Sequence, residues 1–181
     1  MELKINWPNN KARLVSFIEL DNETDMSKSN IKIQEIEAKS ILQKSGLPDA
    51  DWVVNPYTGC HFGCKYCYAA FVGRFRHPNE EWGSYLDIKI NASELLRKEL
   101  TRKMEKAGTK DIGTIFFSSV TDPYQGVEAK YRLTRKCLEI LVELEYGGLV
   151  SILTKSGLVT RDIDVFKKLK LILFISIKGK K

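Results

Sequence analysis

Gly59-Cys60-His61-Phe62-Gly63-Cys64-Lys65-Tyr66-Cys67-Tyr68 carries three of the chain's four cysteines, spaced C-x3-C-x2-C. A deprotonated thiol is a soft ligand, and softness selects iron–sulfur clusters, zinc or Cu(I). Three thiolates on one short loop can hold three corners of a tetrahedral object and leave the fourth open. Gly59 and Gly63 allow the backbone to curl around what sits inside. A disulfide pair fits poorly, because no signal peptide is visible and three clustered cysteines leave one over. Zinc is the rival reading, with His61 or the distant Cys137 as fourth ligand. Buried free cysteines are the third reading.

Outward from that loop, the chain alternates strand and helix signals. Trp52-Val53-Val54-Asn55 is a short apolar run that ends at Pro56, and the cysteine loop follows directly. Tyr68 to Val72 starts a helix. Residues 73–90 read as a long aromatic connection with Arg74, Arg76, His77, Trp82 and Tyr85. Arginines interleaved with aromatics suit a groove for stacked bases, and equally a loop packed by its own side chains. His77 receives no ligand role. Asn91 and Glu94 suggest a capping box. Leu96, Leu100 and Met104 form the buried stripe of that helix, and Gly108 stops it.

Residues 112–117 read as a second buried strand. Thr134 is the expected cap of a helix whose Cys137, Leu138, Leu141 and Leu144 share one face, which makes Cys137 a core residue. That helix is expected to end at Gly147-Gly148. Residues 149–153 are the third strand, 160–170 a short helix, and 171–177 a fourth strand apolar enough for cover on both faces. Strand, helix, strand in this rhythm means a parallel sheet with right-handed crossovers.

Ligands of parallel β/α folds bind at the carboxyl ends of strands. The cysteine loop, Ser118 to Gln125, Thr154-Lys155-Ser156 and Ser176 all fall there. Each has a structural alternative: Asp122-Pro123 a turn, Lys155 a solvated charge, Ser176 a strand hydroxyl. Their shared rim favours a site.

C-x3-C-x2-C with Tyr66 before the last cysteine resembles the signature of radical SAM enzymes. The wider context is more specific: Asn55 to Cys60, Ser118 to Gln125, Leu133-Thr134-Arg135 and Ile152 to Ser156 are similar to the branch related to spore photoproduct lyase. The likeness runs from about Ile33 to Ser176. It implies an α/β fold, a partial (β/α) TIM-type barrel, here with about four parallel strands. It implies a [4Fe–4S] cluster on Cys60, Cys64 and Cys67, with S-adenosylmethionine on the fourth iron. Asp122 would meet the methionine ammonium and Lys155 the carboxylate. Thr121 and Ser176 match cofactor-contacting positions, and Tyr66 would lie beside the adenine. Reductive cleavage would yield a 5′-deoxyadenosyl radical for hydrogen abstraction, with a reductant such as flavodoxin or ferredoxin as partner and nucleic acid as a candidate substrate. Ser119 stands where the lyases have a hydrogen-donating cysteine, and its O–H bond is too strong for that task. Thymine-dimer repair is therefore not expected. An inactive fragment of such an enzyme, or a non-catalytic iron–sulfur or zinc module, are the alternative functions.

The remaining properties bound the setting. The 181 residues suit one domain. A net charge of +6 permits a polyanion partner without requiring one. No apolar run reaches the ~18 residues of a membrane span, and thiolate ligands suit a reducing, cytoplasmic setting. Residues 1–30 read as a polar, peripheral leader with a linker at 22–30, and residues 31–181 as the core domain. The chain ends at Lys178-Gly179-Lys180-Lys181 after four strands, so an open barrel, an apolar free edge on strand four and self-association are expected.

Overall fold

The computed structural model describes residues 12–15 and 31–176. The linker at 22–30 and the lysine-rich end at 178–181 lie outside the described residues, as does most of the leader. In chain order the strands are β1 (Ala12–Val15), β2 (Lys32–Ile36), β3 (Leu42–Lys44), β4 (Trp52–Val54), β5 (Tyr57–Thr58), β6 (Tyr85–Lys89), β7 (Ile115–Phe117), β8 (Leu149–Thr154) and β9 (Lys170–Ile175). The helices are α1 (Gly73–Arg76), α2 (Ala92–Ala107), α3 (Glu128–Tyr131), α4 (Leu133–Glu143) and α5 (Ile163–Phe166).

The four expected strands are β4, β7, β8 and β9. They lie side by side in that order and all run parallel. The sheet is an α/β partial barrel of the TIM type. Two strands flank it. β3 pairs antiparallel with β4. β1 pairs parallel with β9, from Ala12 opposite Leu171 to Val15 opposite Phe174. Residues 12–15 are therefore part of the sheet and not peripheral, and the outer edge of β9 carries a strand. A backbone edge is satisfied by any strand of the right direction, whatever its distance in sequence.

Alternation along the strands separates the two faces. Ile115, Phe117, Val150, Ile152, Leu171 and Leu173 point into one core with Leu96, Leu100, Leu138, Leu141 and Phe166 of the helices. Phe116, Leu153 and Phe174 point the other way, and Leu153 and Phe174 stay 43% and 38% exposed. The expectation that β9 is covered on both faces thus holds on the helical face only.

A second sheet, in the order β2-β6-β5, was not legible as such. β2 lies at the start of the 31–181 stretch, but β6 falls inside the stretch read as a connection. Asp87 in its middle is the reason. A carboxylate inside a short run breaks the apolar signal, yet here it is buried and within 3.1 Å of His77 Nε2. His77 also meets Glu80 through Nδ1 at 3.1 Å and stacks on Tyr85 at 3.9 Å. Its role is structural.

Three helix ends differ from expectation. The side chain of Asn91 does not cap α2. It clasps Ala38 instead, accepting from its N–H at 2.9 Å and donating to its carbonyl at 3.0 Å. Thr134 does not cap α4 either, since its hydroxyl donates to Pro123 O at 2.7 Å. The buried carboxylate of Glu128 takes that role, accepting from Thr134 N at 3.0 Å and Arg135 N at 3.2 Å. An anion at a helix N-terminus satisfies orphan N–H groups and the helix dipole together. Arg161 balances Glu128 at 2.9 Å, and Arg135 balances buried Asp162 at 2.9 Å. The Leu133-Thr134-Arg135 segment therefore ties α4 to α5 and stands apart from the cavity. Finally, α4 ends at Glu143 with Leu144 as its C-cap, and Glu145 follows at φ 55, before the glycine pair.

Candidate functional site

The cysteine loop leaves β5 and turns back against β6. Gly59 has φ 87, and a Cβ there would lie 2.3 Å from the carbonyl oxygen of Tyr85. Both the left-handed backbone and the close approach require glycine. Gly63, at φ 49, makes the second bend against Gly83.

Gln125 fixes this loop to the segment after β7. It is fully buried. Its Oε1 accepts from His61 N at 2.8 Å and its Nε2 donates to Thr121 Oγ1 at 3.0 Å. Thr121 passes its own hydrogen bond to Gly59 O. Tyr68 Oη donates to Ser119 O, and Asn55 Nδ2 donates to Ser119 Oγ at 3.3 Å. Gln125, Tyr68 and Asn55 were not singled out in the sequence. Their only signal was membership of the same short segments as the chosen residues.

Asp122 is buried at the end of the same segment. Oδ1 accepts from Thr154 Oγ1 at 2.7 Å and from Tyr124 N at 2.9 Å, and Oδ2 accepts from Lys155 N at 2.7 Å. Burial pushes its carboxyl up, and those three hydrogen bonds oppose the shift. A carboxylate has about four acceptor sites, so most of its capacity is spent on β8 and the turn after it. Lys155 Nζ donates to Tyr66 Oη at 2.6 Å and lies 3.3 Å from Cys64 Sγ. Tyr66 itself is 81% exposed. Ser176 N donates to Thr154 O at 2.8 Å, extending the ladder beyond β9.

All the residues chosen from sequence reach one cavity of about 270 Å³: Cys60, Cys64, Cys67 and Tyr66 from the loop, then Thr121, Asp122, Lys155 and Ser176 from the strand ends. It opens on the sheet face away from the helices, with Phe116 and Leu153 in its lining. Ser118 also lines it, held at φ 64 by a bond from its N–H to Val54 O at 2.8 Å, with its hydroxyl buried and unpartnered. His61 and Cys137, the two candidate fourth ligands of a zinc site, do not line the cavity. Cys137 sits fully buried in the helical core.

Among the described residues, no three His, Cys, Asp or Glu side chains converge as ligands of a single metal ion would. The donor set suits a multinuclear centre: three soft thiols spread around one cavity on a loop held curled by glycine. Burial, with the Asp122 charge second, pushes the Cys60 thiol up to about 12.

Lys89 supports the site from below. Its ammonium donates to Asn55 O at 2.7 Å, and burial, reinforced by Arg76, lowers it from 10.5 to about 8. The folded chain then releases this proton near pH 8 and the unfolded chain near 10.5. Between those values the unfolded state binds more protons, so stability rises with pH. Wild type should gain on the order of 2 kcal/mol over Lys89→Met between pH 7 and pH 10, allowing for partial exposure. Urea unfolding of both proteins at the two pH values checks this, and a constant difference removes the buried ammonium from the account.

Residues 54–179 match the family model described as the radical SAM superfamily. An uncharacterized protein of Methanocaldococcus jannaschii is 38% identical over 140 residues, 77% of this chain and 49% of that protein. An uncharacterized protein of Mycobacterium tuberculosis is 33% identical over 142 residues, 75% of this chain and 39% of its own length. The chain thus spans half or less of the length of these relatives. Among solved structures, a mutant spore photoproduct lyase with a dinucleoside spore photoproduct matches with a TM-score of 0.59 and 18% identity. The match covers 78% of this chain and 38% of the lyase. That likeness is one of fold. Among the described residues, no helix is long and apolar enough to cross a membrane.

Proposed function

This chain belongs to the radical SAM superfamily, and we propose that it is an iron–sulfur protein that cleaves S-adenosylmethionine reductively. The observation that carries this reading is the convergence of three thiols and the strand-end residues on one cavity. Cys60, Cys64 and Cys67 would hold a [4Fe–4S] cluster. When bound, cluster and S-adenosylmethionine supply one-electron cleavage of the sulfonium C–S bond and hydrogen abstraction from a substrate.

The chain's own residues bind and orient. Lys155, already beside Cys64, is the cation available to the methionine carboxylate. Asp122 holds the Lys155 turn through Lys155 N and keeps at most a minor share of its oxygens for the ammonium. Thr121 fixes the loop through Gly59. Ser176 and Tyr66 border the remaining space. The electron would come from a flavodoxin- or ferredoxin-type reductant.

The substrate reading is a nucleic-acid strand. Tyr66, Tyr68 and Phe75 are 81%, 60% and 80% exposed beside the cavity loop, next to exposed Lys65, Arg74 and Arg76. No carboxylate lies between Asp51 and Glu80 in sequence. Exposed rings interleaved with cations suit stacked bases on a phosphate chain.

Anaerobic reconstitution with iron and sulfide, then reduction with S-adenosylmethionine, tests both parts. 5′-Deoxyadenosine should form, and faster with a single-stranded oligonucleotide present. Iron loading without any cleavage would leave a non-catalytic iron–sulfur module. Cleavage indifferent to the oligonucleotide would remove nucleic acid as substrate.

A further inference from the structure

We propose that Tyr66 positions Lys155: its phenol oxygen holds the ammonium at the cysteine cavity, where the carboxylate of S-adenosylmethionine would meet it. The inference rests on the reading of Lys155 as the cation for that carboxylate. Tyr66 is a positioning residue, acting through Lys155.

Lysine is a poor clamp by itself, because its four-carbon stem is flexible and its ammonium is a point charge without a fixed fork. Here the residue is held at both ends. Its backbone N–H donates to Asp122 Oδ2 at 2.7 Å, just past β8. At the tip, Nζ donates to Tyr66 Oη at 2.6 Å. The same nitrogen lies 3.3 Å from Cys64 Sγ. An ammonium has three N–H donors, so one stays free for a carboxylate with both contacts kept.

The hydroxyl, and not the ring, makes this contact. Nζ is 2.6 Å from Oη but 4.9 Å from the ring centroid, so it stands nearer the hydroxyl edge than the ring face. The edge of an aromatic ring is the positive part of its quadrupole. A cation on that side is attracted by the oxygen alone, and phenylalanine would offer it nothing. The cysteine turn fixes the backbone at Tyr66, since Cys67 N closes it on Cys64 O at 3.0 Å. The ring is 81% exposed, so packing does not decide where the hydroxyl stands. Lys155 is its hydrogen-bond partner among the described residues. A side-chain tip that is already ordered costs less to immobilise when a ligand arrives.

The test titrates S-adenosylmethionine into the reconstituted protein as wild type, Tyr66→Phe, Lys155→Met and the double variant. Iron per chain should be equal in wild type and Tyr66→Phe. Tyr66→Phe should bind roughly three- to tenfold more weakly. In the Lys155→Met background the same change should cost less than about twofold, because the group that Tyr66 acts through is gone. 5′-Methylthioadenosine has the nucleoside and no carboxylate, and it should bind wild type and Tyr66→Phe alike. Unchanged S-adenosylmethionine affinity in Tyr66→Phe overturns the proposal. An equal loss in both Lys155 backgrounds, or for both ligands, also overturns it, because the ring itself would then hold the ligand. If Lys155→Met binds too weakly to titrate, the comparison of the two ligands decides. Wild type that loads iron but binds no S-adenosylmethionine overturns the site reading and this proposal together.

Discussion

Alanine at Cys60, Cys64 or Cys67 should abolish stable iron uptake, while alanine at Cys137 should leave iron per chain unchanged. The first three thiols line one cavity on a loop that Gly59, Gly63 and Gln125 hold in place. Removing one leaves two protein ligands for the centre, and a soft-metal site loses most of its affinity with a missing thiolate. Cys137 is fully buried on α4 among Leu138, Leu141 and Val150. Its thiol behaves there as a small apolar group, held well above the ordinary thiol range by burial. Cys137→Ala should cost only about 1 kcal/mol of stability, from the small cavity left behind. Iron analysis of the four variants after anaerobic reconstitution separates the roles. Iron lost in Cys137→Ala and retained in Cys64→Ala would reverse the assignment. Stoichiometric zinc with no iron uptake would hand the site to the rival metal.

Asp122→Ala should be the most damaging substitution of a non-cysteine site residue. The wild-type carboxylate accepts from Thr154 Oγ1, Tyr124 N and Lys155 N, and the group is buried. Alanine leaves three donors with no acceptor and little access to water. Each unsatisfied donor costs roughly 1–3 kcal/mol, so a loss of roughly 3 kcal/mol or more is expected, less than the full sum because the turn relaxes. The same change frees the Lys155 backbone, so S-adenosylmethionine affinity should fall by at least about tenfold. Asp122→Asn keeps one acceptor and should fall between. Urea unfolding and ligand titration of the loaded protein measure the two effects. A variant within about 0.5 kcal/mol of wild type would show that this hydrogen-bond cluster does not hold the rim together.

Much of the arrangement was legible in the residues. C-x3-C-x2-C between glycines marked the loop. Short apolar runs bounded by turn signals marked β4, β7, β8 and β9, because a strand covered on its helical face must be apolar wherever it meets the core. The stripe Leu96, Leu100, Met104 marked α2, and all three are buried. Polar residues just past strand ends marked the rim, and the selected ones all reach one cavity. Less legible was what those polar groups touch. Asp122 reads as a ligand carboxylate beside Thr154 and Lys155, yet its oxygens turn inward to them. Residues 12–15 read as leader because their partner, β9, lies at the far end of the chain.

What the sequence alone determined was local: thiols at a fixed spacing, glycines where the chain must curl, periods of two and near four that sort strands from helices. These follow from bonded neighbours and from which face of an element is apolar. Tertiary structure decided everything that depends on partners distant in sequence. It set β1 on the edge of β9, made Glu128 and not Thr134 the anion at α4, and placed buried Asp87 against His77. It also left the Trp82 Nε1 donor buried without an acceptor among the described residues. A hydrogen bond or ion pair has no signature in the order of residues, because any donor and acceptor brought to within about 3 Å will form one.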